Sequence, residues 1–257
     1  MDVIAWGLIP YLVFIVFVGG MIWRYRFDQF GWTSRSSQMY ESKMLKIGSP
    51  LFHYAILAVF FGHVVGLMIP KLWTDAIGIS QRDYHLGALW VGGIAGVALL
   101  VGLAILIYRR RSNKAVFRAT TWNDKIMFLV LAFVIVVGLL ATFTGDTTPA
   151  GEEHNYRETV SIWFRSLFLF QPDVEAMAAS TWQFKLHVLA GMLMIVMVPF
   201  TRLIHAFTVP LHFLFRPYIV YRSRGGRRGQ SRTTKGRGWE PVRTASEIST
   251  KPPKSAR

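Results

Sequence analysis

Residues 51–70 read LFHYAILAVFFGHVVGLMIP, and residues 184–207 read FKLHVLAGMLMIVMVPFTRLIHAF. Each apolar stretch contains two histidines. The first stretch has His53 and His63, and the second has His187 and His205. A polar side chain is costly in hydrocarbon and is usually kept there for a function, with a partner. Neutral imidazole is a common ligand of haem iron. The two stretches therefore predict two transmembrane helices that hold two bis-histidine haems between them.

The composition of the chain indicates an integral membrane protein. Hydrophobic residues make up 52% of its 257 residues, and they occur in blocks long enough to cross about 30 Å of lipid. One further apolar stretch, residues 160–170, is interrupted by Arg165 and is too short to span, so we expect it to be interfacial or re-entrant. The sequence predicts an all-α fold, a membrane bundle of five transmembrane helices at residues 3–23, 51–69, 86–108, 126–143 and 184–207.

Lysine and arginine are unevenly divided between the connecting segments. They are frequent in residues 24–50, in residues 109–125 and after the fifth span, whereas the segment before the fifth span is rich in Asp and Glu. Basic residues accumulate on the cytoplasmic side of membrane proteins. We therefore expect a multi-pass protein of the cell inner (cytoplasmic) membrane, with its N-terminus outside and its C-terminus in the cytoplasm.

The net charge of +15 is placed at helix ends and in a C-terminal tail. This placement is explained by topology and by contact with anionic lipid, so we expect no binding of nucleic acid. Residues 223–257 are polar, glycine-rich and basic, which predicts disorder. The chain is thus expected to consist of a five-helix transmembrane domain, residues 1–222, and a basic disordered cytoplasmic tail, residues 223–257.

The chain contains no cysteine. This excludes covalent attachment of a c-type haem, an iron–sulfur cluster held by cysteine, and a disulfide. A redox cofactor at membrane depth would therefore depend on histidine ligands.

The spacing of the histidines predicts how they pair. His187 and His205 are eighteen residues apart, which in a continuous helix is five full turns and a rise of about 27 Å. His53 and His63 are ten residues apart, a rise of about 15 Å with an offset of about 80°. The two helices run in opposite directions, so His53 should face His205 near the cytoplasm and His63 should face His187 near the outer surface. Pro199, between the ligands of the fifth span, is expected to bend that helix.

Several short motifs carry a resemblance to a known family. They are SSQM at 36–39, LFHYAIL at 51–57, FGHVVG at 61–66, WVGGIAG at 90–96, RATTW at 118–122, KLHVLAGM at 185–192 and PFTRLIHAFTVP at 199–210. With these motifs the chain resembles, over about residues 6–222, the cytochrome b (gamma) subunit of membrane-bound respiratory nitrate reductase.

The resemblance implies a haem b membrane anchor with a defined place in an electron-transfer chain. Such a subunit oxidises menaquinol or ubiquinol and passes electrons to an iron–sulfur beta subunit, and then to a molybdopterin alpha subunit that reduces nitrate. It implies that His53 and His205 ligate the haem nearer the cytoplasm and that His63 and His187 ligate the outer haem. This is also the pairing that the spacing predicts.

The quinol site is expected near the outer haem. Where the resembled family has a quinol-site lysine, this chain reads QRDYHLG at residues 81–87. The candidates for contact with quinol are His63, Arg82, Tyr84 and His85. A histidine or tyrosine within hydrogen-bond reach can accept the proton that leaves the quinol hydroxyl, whereas Arg82 stays charged and is expected to orient the cluster.

Two arginines lie at the cytoplasmic edge of the predicted bundle. A guanidinium pairs well with a carboxylate, so Arg118 and Arg202 are candidates for contacts with haem propionates. Setting of topology or contact with lipid headgroups would explain both residues equally well.

Two other functions fit the same sequence. One is a haem b quinol-oxidising anchor of a different reductase complex, which would share the fold but have another soluble partner. The other is a haem-free, proton-coupled transporter whose membrane histidines relay protons, and this reading predicts that the protein binds no haem.

Overall fold

The computed structural model describes residues 1–34, 36–147 and 154–208. The helices described below all belong to one unit, Met1–Val209. The predicted tail, residues 223–257, and its boundary at residue 222 lie outside the described residues.

Five helices are long and apolar enough to cross a membrane, which confirms the predicted number of spans within the described ranges. They are Val3–Phe27, Lys43–Met68, Gln81–Ser112, Trp122–Thr144 and Trp182–Phe200. In chain order the α-helices are α1 (Ile9–Phe27, preceded by a π-helical segment Val3–Leu8), α2 (Lys43–Met68), α3 (Lys71–Ala76), α4 (Gln81–Ser112), α5 (Lys114–Arg118), α6 (Trp122–Thr144), α7 (Val160–Phe168), α8 (Val174–Ala178) and α9 (Trp182–Met197).

The N-termini of α4 and α6 are fixed by polar caps rather than by the limits of the apolar blocks. At the start of α4, the side chain of Ser80 accepts a hydrogen bond from the backbone N–H of Asp83. At the start of α6, Thr121 and Asp124 form a reciprocal capping box. These bonds satisfy N–H groups that have no partner within the helix, and they let each helix begin several residues before its apolar block.

Helices α2 and α4 form the tightest pair in the bundle because glycine removes the side chains between them. A Cβ placed on Gly102 of α4 would lie 2.8 Å from the backbone nitrogen of Phe52 in α2. Small residues at such contacts let transmembrane helices approach closely. The buried side chains of Phe52, Leu99, Leu103, Leu131 and Ile135 then form the core between α2, α4 and α6.

One end of the bundle gathers the basic segments. We call it the basic end, and it contains the C-terminal ends of α1, α4 and α9 and the N-terminal ends of α2 and α6. Arg109 of α4, which is 1% exposed, donates to Glu41 at 2.5 Å and to the hydroxyl of Ser37 at 2.8 Å. A buried arginine thus ties the end of α4 to the segment before α2.

The short helix α7 lies at the other end of the bundle, which we call the opposite end. Its side chains bond to the last turns of α2, where Ser161 donates to the carbonyl of Gly66 at 2.8 Å and Arg165 to that of Leu67 at 3.0 Å. The indole of Trp163 donates to the carbonyl of Trp6 at 2.8 Å. As predicted from its length, this apolar segment is not one of the spanning helices.

The fifth span is not the continuous helix that the sequence predicts over residues 184–207. Helix α9 ends at Met197, and it is followed by two 3₁₀ segments, Val198–Phe200 and Arg202–Thr208. Thr201 between them is extended, with φ −124° and ψ −175°. The expectation of five regular turns between His187 and His205 was therefore wrong. The break follows Pro199, which cannot donate a backbone hydrogen bond.

Candidate functional site

The four membrane histidines lie in two facing pairs. The ring centroids of His53 and His205 are 6.1 Å apart, near the basic end. Those of His63 and His187 are 5.9 Å apart, towards the opposite end. Each pair takes one histidine from α2 and one from the fifth span, so the structure brings together the partners that the spacing predicted.

The backbone bonds of three of these rings determine which nitrogen faces the partner. Nδ1 of His53 lies 2.7 Å from the carbonyl of Ser49, and Nδ1 of His63 lies 2.7 Å from that of Val59. Nδ1 of His205 bonds to a carbonyl in the preceding turn of its own segment. A carbonyl oxygen can only accept a hydrogen bond, so Nδ1 carries the proton and Nε2 keeps its lone pair. This is the arrangement in which a second bond orients a metal-ligating histidine.

His187 differs from the other three because helix α6 packs against its ring. A Cβ on Gly138 would lie 2.8 Å from Cε1 of His187, so only glycine leaves room for the ring at that position. Nδ1 of His187 is buried close to the carbonyl of Val134, but it lacks the geometry of a hydrogen bond within the described residues. The fourth ring is thus held mainly by packing against α6.

The separation of each pair fits one iron between the two rings. A bond from imidazole to a first-row metal is about 2 Å, and the centroid lies about 1.2 Å behind the nitrogen. A collinear arrangement therefore needs about 6.4 Å between centroids. The observed 6.1 Å and 5.9 Å are within about 0.5 Å of this value.

The region between α2 and α9 has room for a flat ligand. Helix α2 packs on α4 and α7, and α9 packs on α6 and α1, whereas α2 and α9 make no extensive contact with each other in the described part of the chain. A Cβ added at Gly62 of α2 or at Gly191 of α9 would meet no atom within 4 Å. Two glycines therefore leave the helix surfaces beside the outer pair open.

A bare metal ion would be poorly held at these positions. No group of three or more His, Cys, Asp or Glu side chains with the geometry of a metal site occurs in the described ranges. Two opposed imidazoles supply two nitrogen donors, which is the donor set that would hold a haem iron whose other ligands come from the porphyrin. The donor set therefore fits haem.

The two predicted propionate candidates lie in different surroundings at the basic end. Arg202 forms a two-point ion pair with Asp124 of α6 and donates to the carbonyl of Ser34 at 3.2 Å. Asp124 is 3% exposed, so this guanidinium already has a buried carboxylate partner. Arg118 ends α5 and is exposed. Contact of either residue with a propionate stays a prediction.

The quinol candidates at the start of α4 are divided between solvent and protein. Arg82 is exposed. Nε2 of His85 lies 3.6 Å from a carboxylate oxygen of Asp146. The hydroxyl of Tyr84 lies 3.3 Å from the hydroxyl of Tyr156. Of these three residues of α4, Tyr84 contacts Tyr156 and so belongs to a cluster that extends towards the pair His63 and His187.

This cluster includes two residues that the sequence did not single out. The guanidinium of Arg157 lies 3.9 Å from the centroid of the Tyr84 ring, and the Tyr156 ring is 5.6 Å from that of Phe184. Burial, and then the hydrogen bond with Tyr84, raises the pKa of Tyr156, so its hydroxyl stays protonated. The run NYRE at residues 155–158 places polar groups just before an apolar segment, which was the one available signal.

Comparisons with known proteins agree on one family. A family model described as nitrate reductase gamma subunit matches residues 2–224. The nitrate reductase gamma chain of Bacillus subtilis is 42% identical over 221 residues, which cover 86% of this chain and 98% of that relative. The respiratory nitrate reductase 2 gamma chain of Escherichia coli is 33% identical over 225 residues, which cover 87% and 98%.

A further relative is longer than this chain. The nitrate reductase-like protein NarX of Mycobacterium tuberculosis is 51% identical over 224 residues, which cover 87% of this chain but 34% of that relative. The chain therefore spans about a third of the length of this relative.

Proposed function

Because the chain belongs to the nitrate reductase gamma subunit family, we propose that it is the membrane subunit that binds two b-type haems and oxidises quinol for a respiratory nitrate reductase. The main support for this proposal is that four imidazoles form two facing pairs between α2 and the fifth span. The ring centroids are 6.1 Å apart in one pair and 5.9 Å apart in the other. Nitrate reduction itself belongs to a partner subunit.

The four histidines would hold the two haems. His53 and His205 would hold the haem nearer the basic end, and His63 and His187 the haem nearer the opposite end. A bis-histidine haem supplies reversible one-electron transfer. The chain orients His53, His63 and His205 through backbone bonds to Nδ1, and it holds His187 by packing against α6.

The orientation in the membrane determines the direction of electron flow. The positive-inside rule assigns the basic end to the cytoplasm, so the N-terminus is outside and the cytoplasmic membrane is the location. Each electron that crosses inwards moves against roughly 2.3 kcal/mol per 100 mV of membrane potential. The drop in redox energy to the terminal acceptor must exceed this cost, and the resulting charge separation supports the proton-motive force.

The quinol would bind next to the outer pair, where its protons are released outside. Tyr84 and His85 are the nearby groups able to accept a hydrogen bond from a quinol hydroxyl. The third candidate acceptor, His63, would have no free acceptor, because its Nδ1 donates to the carbonyl of Val59 and its Nε2 would hold the haem. The bond between Tyr84 and Tyr156 supports this position because it links the start of α4 to residues packed against α2. Arg82 would orient the quinol without taking its proton.

The electrons would leave at the basic end to a cytoplasmic partner. Because the chain has no cysteine, cluster ligands must come from another chain, which we propose is an iron–sulfur beta subunit that serves a molybdopterin alpha subunit. Residues 24–50 and 109–125 would form much of the docking surface.

A reduced-minus-oxidised optical spectrum of the purified protein tests the proposal most directly. Two b-type haems per chain, both reduced by menaquinol or ubiquinol, are the expected result. A protein free of haem would refute the proposal and favour the proton-coupled transporter. Haems that are reduced by quinol but not reoxidised by nitrate in the assembled complex would instead indicate the anchor of another reductase.

A further inference from the structure

Arg157 is a buried cation whose nitrogens are incompletely bonded. Its side chain is 2% exposed. Nη2 lies 3.4 Å from the carbonyl of Ile69, at the limit of a hydrogen bond. Nε and Nη1 are buried and have no hydrogen-bond partner in the part of the chain that the structure describes. Most of the donors of this guanidinium are thus unsatisfied.

The surroundings of Arg157 do not neutralise its charge. The face of the Tyr84 ring offers a cation–π contact at 3.9 Å, which compensates a buried charge only in part. The neighbouring carboxylate of Glu158 is already 2.7 Å from Lys71. Arg165 lies close enough that burial, and then the charge of Arg157, lowers the pKa of Arg165. The region is therefore positive and calls for an anion.

The position of this cluster relates it to the outer histidine pair. Tyr156, which precedes Arg157, packs on Gly66, where an added Cβ would lie 3.0 Å from its hydroxyl. It also packs on Phe184. Gly66 is three residues after His63, and Phe184 is three residues before His187. Tyr156 thus lies about one helical turn beyond His63 and His187. Arg157, beside the carbonyl of Ile69, lies between one and two turns beyond His63 along α2.

We propose that Arg157 is the counter-charge for a propionate carboxylate of the outer haem, an inference that rests on the proposed function. The propionates of a haem extend from the edge of the macrocycle, so a cation between one and two helical turns from the histidines that would hold the haem is suitably placed. A guanidinium donates several N–H bonds to a carboxylate, which would satisfy the donors that are otherwise unpartnered.

Redox titration of both haems in the full-length protein tests this role. A positive charge beside a haem favours the reduced iron, so Arg157→Gln should lower the midpoint potential of the outer haem. We expect at least a tenfold shift in the one-electron equilibrium, which is 59 mV, while the inner haem stays unchanged. Arg157→Lys keeps the charge but loses the planar donors, so it should give a smaller shift in the same direction.

Arg165→Gln is the matched control. It removes a charge from the same region, but Nη1 of this arginine already donates to the carbonyl of Leu67 at 3.0 Å, so the outer potential should fall by less than in Arg157→Gln. The double variant Glu152→Gln/Glu153→Gln tests for an internal counter-charge, because these carboxylates lie outside the described residues.

Each outcome has a distinct meaning. Two haems with wild-type potentials in Arg157→Gln would overturn the inference. If both potentials are unchanged but quinol reduces the haems more slowly, the inference is also overturned, and Arg157 would instead act on the quinol. A rise of the outer potential in the Glu152→Gln/Glu153→Gln variant, opposite in sign to the shift in Arg157→Gln, would assign the counter-charge to the protein. If Arg157→Gln does not accumulate, an unchanged titration of Arg157→Lys overturns the inference. A wild-type protein without haem would refute the proposed function itself.

Discussion

Alanine in place of Gly138 is expected to displace the outer ligand of the fifth span. The new Cβ would lie 2.8 Å from Cε1 of His187 and 3.3 Å from its Nδ1. Ordinary van der Waals contact begins at 3.4 Å, so the ring must move by roughly 0.6 Å. The backbone of α6 on the other side is held by its own helical bonds, so the imidazole is the part that gives way.

A displacement of this size is large for a metal ligand. Metal–ligand distances in proteins vary by about 0.2 Å, so a shift three times as large should lengthen or break the axial bond to the outer haem. The fold should survive, because a helical Gly→Ala change favours the helix by about 0.5–1 kcal/mol and a tight added methyl costs about 1–3 kcal/mol. The expected result is a protein with one normal haem and one high-spin or missing haem.

Electron paramagnetic resonance of the oxidised protein, with optical redox titration, measures this outcome for each haem. Gly92→Ala on α4 is the control, since a Cβ there meets no atom within 4 Å. It should leave both haems low-spin. A low-spin outer haem with wild-type potential in Gly138→Ala would refute the argument that His187 ligates iron from its position against α6.

Three further outcomes follow from the assignments above. His187→Ala should remove the outer haem and leave the inner one, whereas His205→Ala should perturb the inner haem; an unchanged two-haem titration of the first variant would defeat the pairing. Cross-linkers in residues 109–125 should capture the iron–sulfur partner, and capture from the outer loops alone would reverse the orientation. Arg82→Ala or His85→Ala should slow reduction of the haems by quinol while dithionite still reduces both, and wild-type rates in stopped-flow measurements would move the quinol site elsewhere.

The number of spans could be predicted from sequence because it depends on blocks of apolar residues. The helix limits could not be predicted in this way. Helix α2 begins at Lys43, eight residues before the predicted span, and α4 begins at Gln81, five residues before. A hydropathy profile does not detect polar turns that extend a helix beyond the lipid. Caps and tertiary contacts decide where such a helix ends.

The pairing of the histidines was predictable, but the geometry of the fifth span was not. In two antiparallel segments, the first histidine of one lies beside the second histidine of the other, whatever the exact rise per residue. The pairing therefore survives the break after α9. The bend at Pro199 was expected, whereas its extent depends on tertiary contacts. Gly20 of α1 lets Pro199 approach so closely that an added Cβ would lie 2.8 Å from its ring.

The cluster around Arg157 could not be recognised from sequence. In the connecting segment, this residue and Tyr156 read as ordinary loop residues. Their significance comes from burial against Tyr84 and the last turns of α2, which is a property of the tertiary structure. From sequence alone, an arginine that only sets the membrane topology cannot be distinguished from one that is buried near a cofactor.

The two histidines of the fifth span are held in different ways. His187 lies within the regular helix α9, whereas His205 lies after the break. The break is held from outside the span, since Arg24 of α1 donates to the carbonyl of Pro199 at 2.9 Å. Asp124, which also caps α6, pairs with Arg202. Both contacts are at the basic end, so a partner that shifts the ends of α1 and α6 would move His205 before His187.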